Sequence, residues 1–497
     1  MKHFKILLIL ICYSISSIAQ TDIVTTTPEG SIKTYDMSTC QVYMNDKYDY
    51  SGIKTDAVVS DNGNKLWFKD FITAYGFGTW IYGDIKGDTL YIKSGQHIYH
   101  QDPIDNMPTI DLYIKSGTVS GSDFFTTDDE FIKLIIDKDG TLRTPDNKGI
   151  AAVDQYGDVL GKNYAYILKE FDAAKETIIP PTGLADTQYC LKYNDNLGNP
   201  IYRLVNVKTD ETNKNMYIQG MTNVYNLNGW IKGTINNNTI SFAQRQYQGI
   251  AEDLFFDFFY PGTKDYSQPN GYALTENLVF TRDSITGDLT TDGSALEMIG
   301  DKILAGSFDN PSLMPYTPHA AIPAKPQMLD YSDYRNDYGF IVLRFNIAPI
   351  DIDGKYIDPK DITWRLIVDG QPYTFNKSTY KNLKEDTETF NWGFSDGMDI
   401  VFEACGLYNI WLYDNCHDIA AECSYTYDGQ TYTSVSDPIH IEDNTTDINN
   451  AVTNMPNTSV RYYDMQGHAV LYPKHGIYIR KERTANGHYR TQKILIK

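Results

Sequence analysis

The 497-residue sequence contains no HExxH, no GxSxG and no GxxxxGK[ST], so the commonest signatures of a zinc peptidase, a serine esterase and a P-loop nucleotide enzyme are missing. Positive charge is also short. Lys and Arg number 43 against 64 Asp and Glu, a net charge of −21, and a chain this acidic repels phosphate backbones; nucleic acid is not an expected partner. No apolar run approaches the roughly 20 residues that a membrane helix needs, so no transmembrane segment is expected in the mature chain. Cysteine is scarce. Cys12 falls in the leader described below, which leaves Cys40, Cys190, Cys405, Cys416 and Cys423, an odd number that allows at most two bridges. Cys405, Cys416, His417 and Cys423 lack the paired CxxC spacing of a zinc site, so disulfides or buried thiols are expected there, and neither a metal nor another cofactor.

The first twenty residues, MKHFKILLILICYSISSIAQ, have a basic start, a short apolar run and small residues at Ser17 and Ala19. This is the pattern of a secretory signal peptide cleaved after Ala19. Beyond it the chain repeats itself. GTWIYGDIKGDTLYIKSGQ (78–96) pairs with NGWIKGTINNNTISFAQRQ (228–246) at a constant offset of 150, placing Trp80 on Trp230, Ile81 on Ile231, Gly83 on Gly233 and Gln96 on Gln246. NKLWFKDF matches KNMYIQGM, EFIKLIIDKDGTL resembles NLVFTRDSITGDL, and Cys40 and Cys190 are also 150 apart. Each copy exceeds 100 residues, the size of a domain and not of a solenoid repeat.

Short runs rich in Tyr, Ile, Val, Thr and Phe alternate with turn clusters such as KGD, NNN, DKDG and SITG, and no long segment keeps a helical period. Strand parity places Ile81 and Ile85, like Ile231 and Ile235, on one face, which either a barrel or a sandwich would bury. The expected class is all-β: two homologous antiparallel β-domains (30–178 and 184–310), an Ig/fibronectin-III-like sandwich (327–442) and a small C-terminal β-unit (460–497). Five prolines in 311–326 suggest an extended spacer, and 443–459 a polar linker. The C-terminal unit carries eight Lys and Arg against two Asp and Glu, opposite in sign to the rest.

Candidate chemistry is sparse, and no catalytic residue stands out. His97 and His100 in HIYH would point to opposite faces of a regular strand, as edge or surface histidines. The Asp-Gly turns at 137–140 and 351–354 resemble the start of a calcium loop, but Lys148 and Ile362 stand where its Glu is required, so plain hairpin turns are expected. Aromatics are the surplus, with 39 Tyr against 21 Phe. Tyr75, Trp80, Tyr225 and Trp230 repeat between the copies and are the candidate ligand-binding residues, by stacking on sugar or peptide; the competing reading has each Trp capping the core.

PPTGLADTQYCLKYNDNLGNPIYRLVNV, with MYIQGM and WIKGTINNNTISF, is similar to a family of uncharacterised secreted β-repeat proteins of Gram-negative anaerobes that carry such copies before an Ig-like unit. The end, with VRYYDMQGHAV, HGIYIR and QKILIK, resembles the C-terminal sorting domain of type IX secretion. The resemblance implies export to the outer surface or the medium and an encounter with secretion machinery through the tail. The expectation is a non-enzymatic binding or adhesion protein with an extracellular glycan or protein as partner; the alternatives are an extracellular hydrolase of polysaccharide or protein, or a structural surface component.

Overall fold

The computed structural model describes residues 22–442, except 44–45, 73–75, 104–107, 122, 196–197, 223, 227 and 404, together with the strands of 460–496. The leader and the polar linker at 443–459 lie outside the described residues. Among those described, helix is confined to short turns at Ala173–Glu176, Arg335–Tyr338 and Pro359–Asp361.

Period-two alternation builds twelve strands in the first copy: β1 (Ser31–Tyr43), β2 (Asp46–Val59), β3 (Lys65–Lys69), β4 (Trp80–Lys86), β5 (Thr89–Lys93), β6 (His97–Gln101), β7 (Ile110–Ser120), β8 (Asp123–Thr126), β9 (Phe131–Ile136), β10 (Leu142–Arg143), β11 (Lys148–Asp154) and β12 (Val159–Glu170). Eight of them close into an antiparallel barrel in the order β1-β2-β3-β4-β5-β9-β10-β12, with β12 returning to β1. Closure leaves the ring without an open edge. The first half of β12 runs out of the ring and carries a half-barrel sheet through β11 to β7, with β6 and β8 along the far side of β7.

The second copy repeats every pairing with β13 (Thr187–Asn194), β14 (Pro200–Asp210), β15 (Asn215–Gln219), β16 (Trp230–Asn236), β17 (Thr239–Ala243), β18 (Gln246–Ala251), β19 (Phe255–Lys264), β20 (Tyr272–Leu274), β21 (Asn277–Arg282), β22 (Leu289–Thr290), β23 (Ser294–Ile299) and β24 (Ile303–Tyr316). The proline-rich stretch at 311–326 therefore does not begin as a spacer. Its residues 311–316 are the second half of β24, and they close the second ring against β13 and β22. Pro311 fits there because it falls at the register shift against β13, and Pro315 because it lies beyond the two residues that pair with β22, where the strand has a neighbour on one side only.

The shared sequence features are the ones that shape the rings. Ile81 with Leu66, Phe68, Leu90, Ile92, Ile132 and Leu134, and Ile231 with Met216, Ile218, Ile240, Phe242, Leu278 and Phe280, fill the two interiors. Gly83 and Gly233 recur because inward side chains cross over them: a Cβ at Gly83 would lie 2.8 Å from Ile92, and one at Gly233 the same distance from Ile240. Gln96 and Gln246 recur for a different reason. Each side chain clamps the backbone of the residue two beyond the Trp, Gln96 accepting from Tyr82 N at 2.9 Å and donating to Tyr82 O at 2.8 Å, and Gln246 doing the same at Lys232 at 2.7 and 3.1 Å.

The copies meet where Lys54 N donates to Leu254 O at 2.7 Å and where Gly52 faces Gly300 so closely that a Cβ on Gly52 would sit 2.2 Å from the Gly300 Cα. Phe171, just past β12, enters the half-barrel of the second copy against Tyr247, Phe256 and Phe258.

A third set of strands, β25 (Gln327–Asp333), β26 (Ile341–Asn346), β27 (Ile362–Val368), β28 (Gln371–Pro372), β29 (Phe390–Asn391), β30 (Ile400–Glu403), β31 (Leu407–Leu412), β32 (Asp418–Tyr427) and β33 (Gln430–Val435), forms two antiparallel sheets. Their orders are β25-β26-β31-β30 and β28-β27-β32-β33. Trp364, 1% exposed, packs against Phe345, Phe390 and Tyr408. The C-terminal unit is a separate four-stranded antiparallel sheet of Val460–Tyr463, Ala469–Val470, Gly476–Arg483 and Tyr489–Ile496.

Candidate functional site

Strand parity sends the alternate residues of β3, β4, β5 and β9 to the outer face of the first barrel. There the sheet carries four half-buried rings, Trp67, Tyr82, Tyr91 and Phe131, one from each strand; Trp67, Tyr82 and Phe131 share a ladder row with Lys93, and Tyr91 stands two residues along β5 from it. Trp67 pairs with Tyr82 across the ladder, their ring centroids 4.6 Å apart, and Tyr91 meets Phe131 edge-on at 6.0 Å. Three inter-strand steps make the row roughly 14 Å long. Lysines stand between the rings. Lys65 Nζ lies 4.2 Å from the Tyr82 centroid and 5.6 Å from that of Trp67, while Lys86 and Lys133 lie 5.7 and 5.8 Å from Tyr91. Contacts of this length are cation–π interactions. With Lys69 and Lys93, five lysines and a single acid, Asp84, share the face.

The second barrel supplies an internal control, because its register is the same. Trp67, Tyr82, Tyr91 and Phe131 correspond to Tyr217, Lys232, Ser241 and Asn277, and the five lysines to Asn215, Gln219, Asn236, Ala243 and Val279. The inward residues stay apolar in both copies, whereas outward the second copy keeps one of the four rings, as Tyr217, replaces the other three with Lys232, Ser241 and Asn277, and carries none of the five lysines. A ring therefore closes without Tyr82, Tyr91, Phe131 and the five lysines.

Past Phe131 and Lys133 the face opens into a groove of about 430 Å³, which these two residues line with Ser116, Asp129, Thr144 and Lys148. Asp129 accepts from Thr127 Oγ1 at 2.9 Å and from Lys148 Nζ at 3.3 Å, and these bonds hold its carboxyl below the usual range.

The residues singled out by repetition lie elsewhere. Trp80 is on the outer face, as parity requires, but is only 5% exposed; its N–H donates to Val24 O at 2.8 Å, where the N-terminal segment crosses it. Trp230 is half-buried under Lys208 Nζ, 5.7 Å from its ring. Tyr75 lies outside the described residues. Tyr225 is 38% exposed. Its loop, between β15 and β16, is tied to an acidic pair: Val224 N and Tyr225 N donate to the two Glu297 oxygens at 2.6 and 2.8 Å, and Asn226 Nδ2 donates to Asp257 Oδ2 at 2.7 Å. Both acids are fully buried side by side, and Asp257 Oδ1 has no hydrogen-bond partner among the described residues. Burial, and then the charge of Glu297, push the Asp257 carboxyl well above the ordinary carboxylate range. The matching positions in the first copy are Leu112 and Ala152.

His97 and His100 do not diverge as a regular strand would make them. A register shift between His97 and Tyr99 brings both rings to Asp111 Oδ1, at 3.0 and 2.7 Å, and His97 is buried. Bonds to Asp111 and Asp102 push the His100 pKa up. Among the described residues no group of three His, Cys, Asp or Glu is placed to hold a metal ion, and none of the five cysteines beyond the leader forms a disulfide.

No family model matches the chain, and no curated protein is similar to it.

Proposed function

We propose that this is an exported, cell-surface or released binding protein, and that the outer face of its first barrel holds an extended glycan by stacking sugar rings on Trp67, Tyr82, Tyr91 and Phe131. The observation that carries this reading is the divergence of the two barrels: selection for the fold accounts for the inward residues of both, and leaves the row of rings on one copy unexplained. An open row of rings offers apolar area to a chain lying across it and no enclosed chamber for chemistry. The leader-type N-terminus supports export, the two-sheet module after the barrels serves as an Ig-like spacer or second binding module, and the C-terminal sheet is the handle for type IX-like sorting. A glycan and protein array with the chain from residue 20 onward tests the reading, together with Trp67→Ala/Tyr91→Ala. Retention of polysaccharide without turnover, lost in the double variant, is expected. Hydrolysis of the retained chain would replace binding by catalysis, and retention unchanged in the variant would remove the face from the function.

A further inference from the structure

We infer that the glycan taken by the first barrel is an acidic polysaccharide, one carrying a carboxylate or sulfate on its sugars, with the lysines between the rings reading its charge. This rests on the glycan-platform reading and narrows it. The chain carries −21 overall, yet Lys65, Lys69, Lys86, Lys93 and Lys133 gather around the ring row with Asp84 as the one acid of those four strands' outer positions. A cationic patch on an acidic protein is the converse of a solvated surface with mixed signs. It concentrates a polyanion locally, while the surrounding negative field opposes binding anywhere else.

The lysines are also arranged for this task. Lys86, Lys93 and Lys133 are exposed, and among the described residues none of the three forms an ion pair of the kind that occupies Lys33, Lys54, Lys115 and Lys148. Lys86 and Lys133 instead lie against Tyr91, so a sugar stacked on that ring would place its substituents beside two ammonium groups. The second barrel has uncharged residues in place of all five lysines and keeps one of the four rings, as Tyr217, so the lysines and most of the rings are lost together. A neutral glycan would need the rings alone. A single-stranded nucleic acid would also use rings and lysines; the leader-type N-terminus favours the polysaccharide, the polyanion that an exported chain would meet.

Affinity electrophoresis and calorimetric titration of the full mature chain test the assignment with four probes: polygalacturonate, chondroitin sulfate, dextran and a single-stranded oligonucleotide. Binding to polygalacturonate, chondroitin sulfate or both is expected, at least tenfold tighter than to dextran and weakening as salt rises; the two arms tell carboxylate from sulfate. Lys86→Gln/Lys93→Gln/Lys133→Gln should lower acidic-polysaccharide affinity tenfold or more with the melting temperature unchanged, since all three side chains are exposed. Dextran bound as tightly as the acidic chains would overturn the acidic assignment and leave the platform standing. No polysaccharide bound, or Trp67→Ala/Tyr91→Ala without effect, would remove the platform itself. Equal or tighter binding of the oligonucleotide would overturn the assignment in favour of nucleic acid.

Discussion

At the scale of single residues, two substitutions separate what holds the fold from what faces a ligand. Trp80→Ala removes a ring that is 5% exposed and should cost about 3–5 kcal/mol, measured by denaturant unfolding. Trp67→Ala removes a half-buried ring from the same sheet and should cost a small fraction of that while abolishing much of the polysaccharide retention. If the two losses of stability are equal, Trp67 is a core residue and not a platform. The Asp257–Glu297 pair gives a pH dependence with a definite sign. Asp257 has its carboxyl pushed up to about 8 in the folded chain, above its ordinary value near 3.8, so between those limits the folded state keeps a proton that the unfolded state has released. The stabilisation is complete below the lower limit and is lost as pH rises towards the upper one, by up to about 1.4 kcal/mol per pH unit. Asn in place of Asp257 can donate to Glu297 without titrating. The difference between wild-type and Asp257→Asn melting temperatures, followed from pH 5 to 9, should therefore move against the wild type as pH rises; parallel profiles would show that Asp257 holds no proton in the folded chain.

At the scale of strands, outward and inward residues of one element carry separate information. The four-fold variant Trp67→Tyr, Tyr82→Lys, Tyr91→Ser and Phe131→Asn installs on the first barrel the outward residues that the second barrel already tolerates. It should fold with a closed ring and a melting temperature close to that of the wild type, checked by circular dichroism, and should no longer retain polysaccharide. Unfolding of this variant would mean that the outer rings hold the first barrel together. The same division explains what the sequence made legible. Repetition at an offset of 150 exposed the strands, the inward Ile81 and Ile231, the crossing glycines and the Gln clamps, all of which both copies need. It also pointed to Trp80, which is buried beneath the N-terminal segment, and to the half-buried Trp230, and away from Tyr91, Lys133 and Phe131, which are not shared. The signal for the face was present in the positions where the copies disagree at outward parity. Other features were out of reach for local reasons. The bulge after His97 cancels the alternation that would have parted the two histidines, and the prolines at 311 and 315 signal a spacer by composition although β24 absorbs them. Ring closure itself depends on β12 returning to β1 across more than 100 residues of sequence, a pairing that no short window contains.

At the scale of the whole molecule, the chain divides into two compact units at 439/440, and the division coincides with a change in charge sign. The first unit holds both barrels and the two-sheet module and is acidic. The second contributes four strands and is basic, and so small a sheet buries little apolar surface, too little to add much to the stability of the rest. Under the proposed export, an element of opposite charge would suit a handle that transport machinery grips without unfolding the cargo. Ending the chain at Ser459 is therefore expected to leave the melting transition of the first unit unchanged in calorimetry, since the described strands of the tail form a sheet of their own. In the producing cell the same truncation should leave the protein folded and trapped in the periplasm, detected by cell fractionation and by protection from added protease. A truncated chain that reaches the surface in normal amount would show that the tail has no part in sorting. A lowered melting temperature would instead make it a structural cap on the acidic unit.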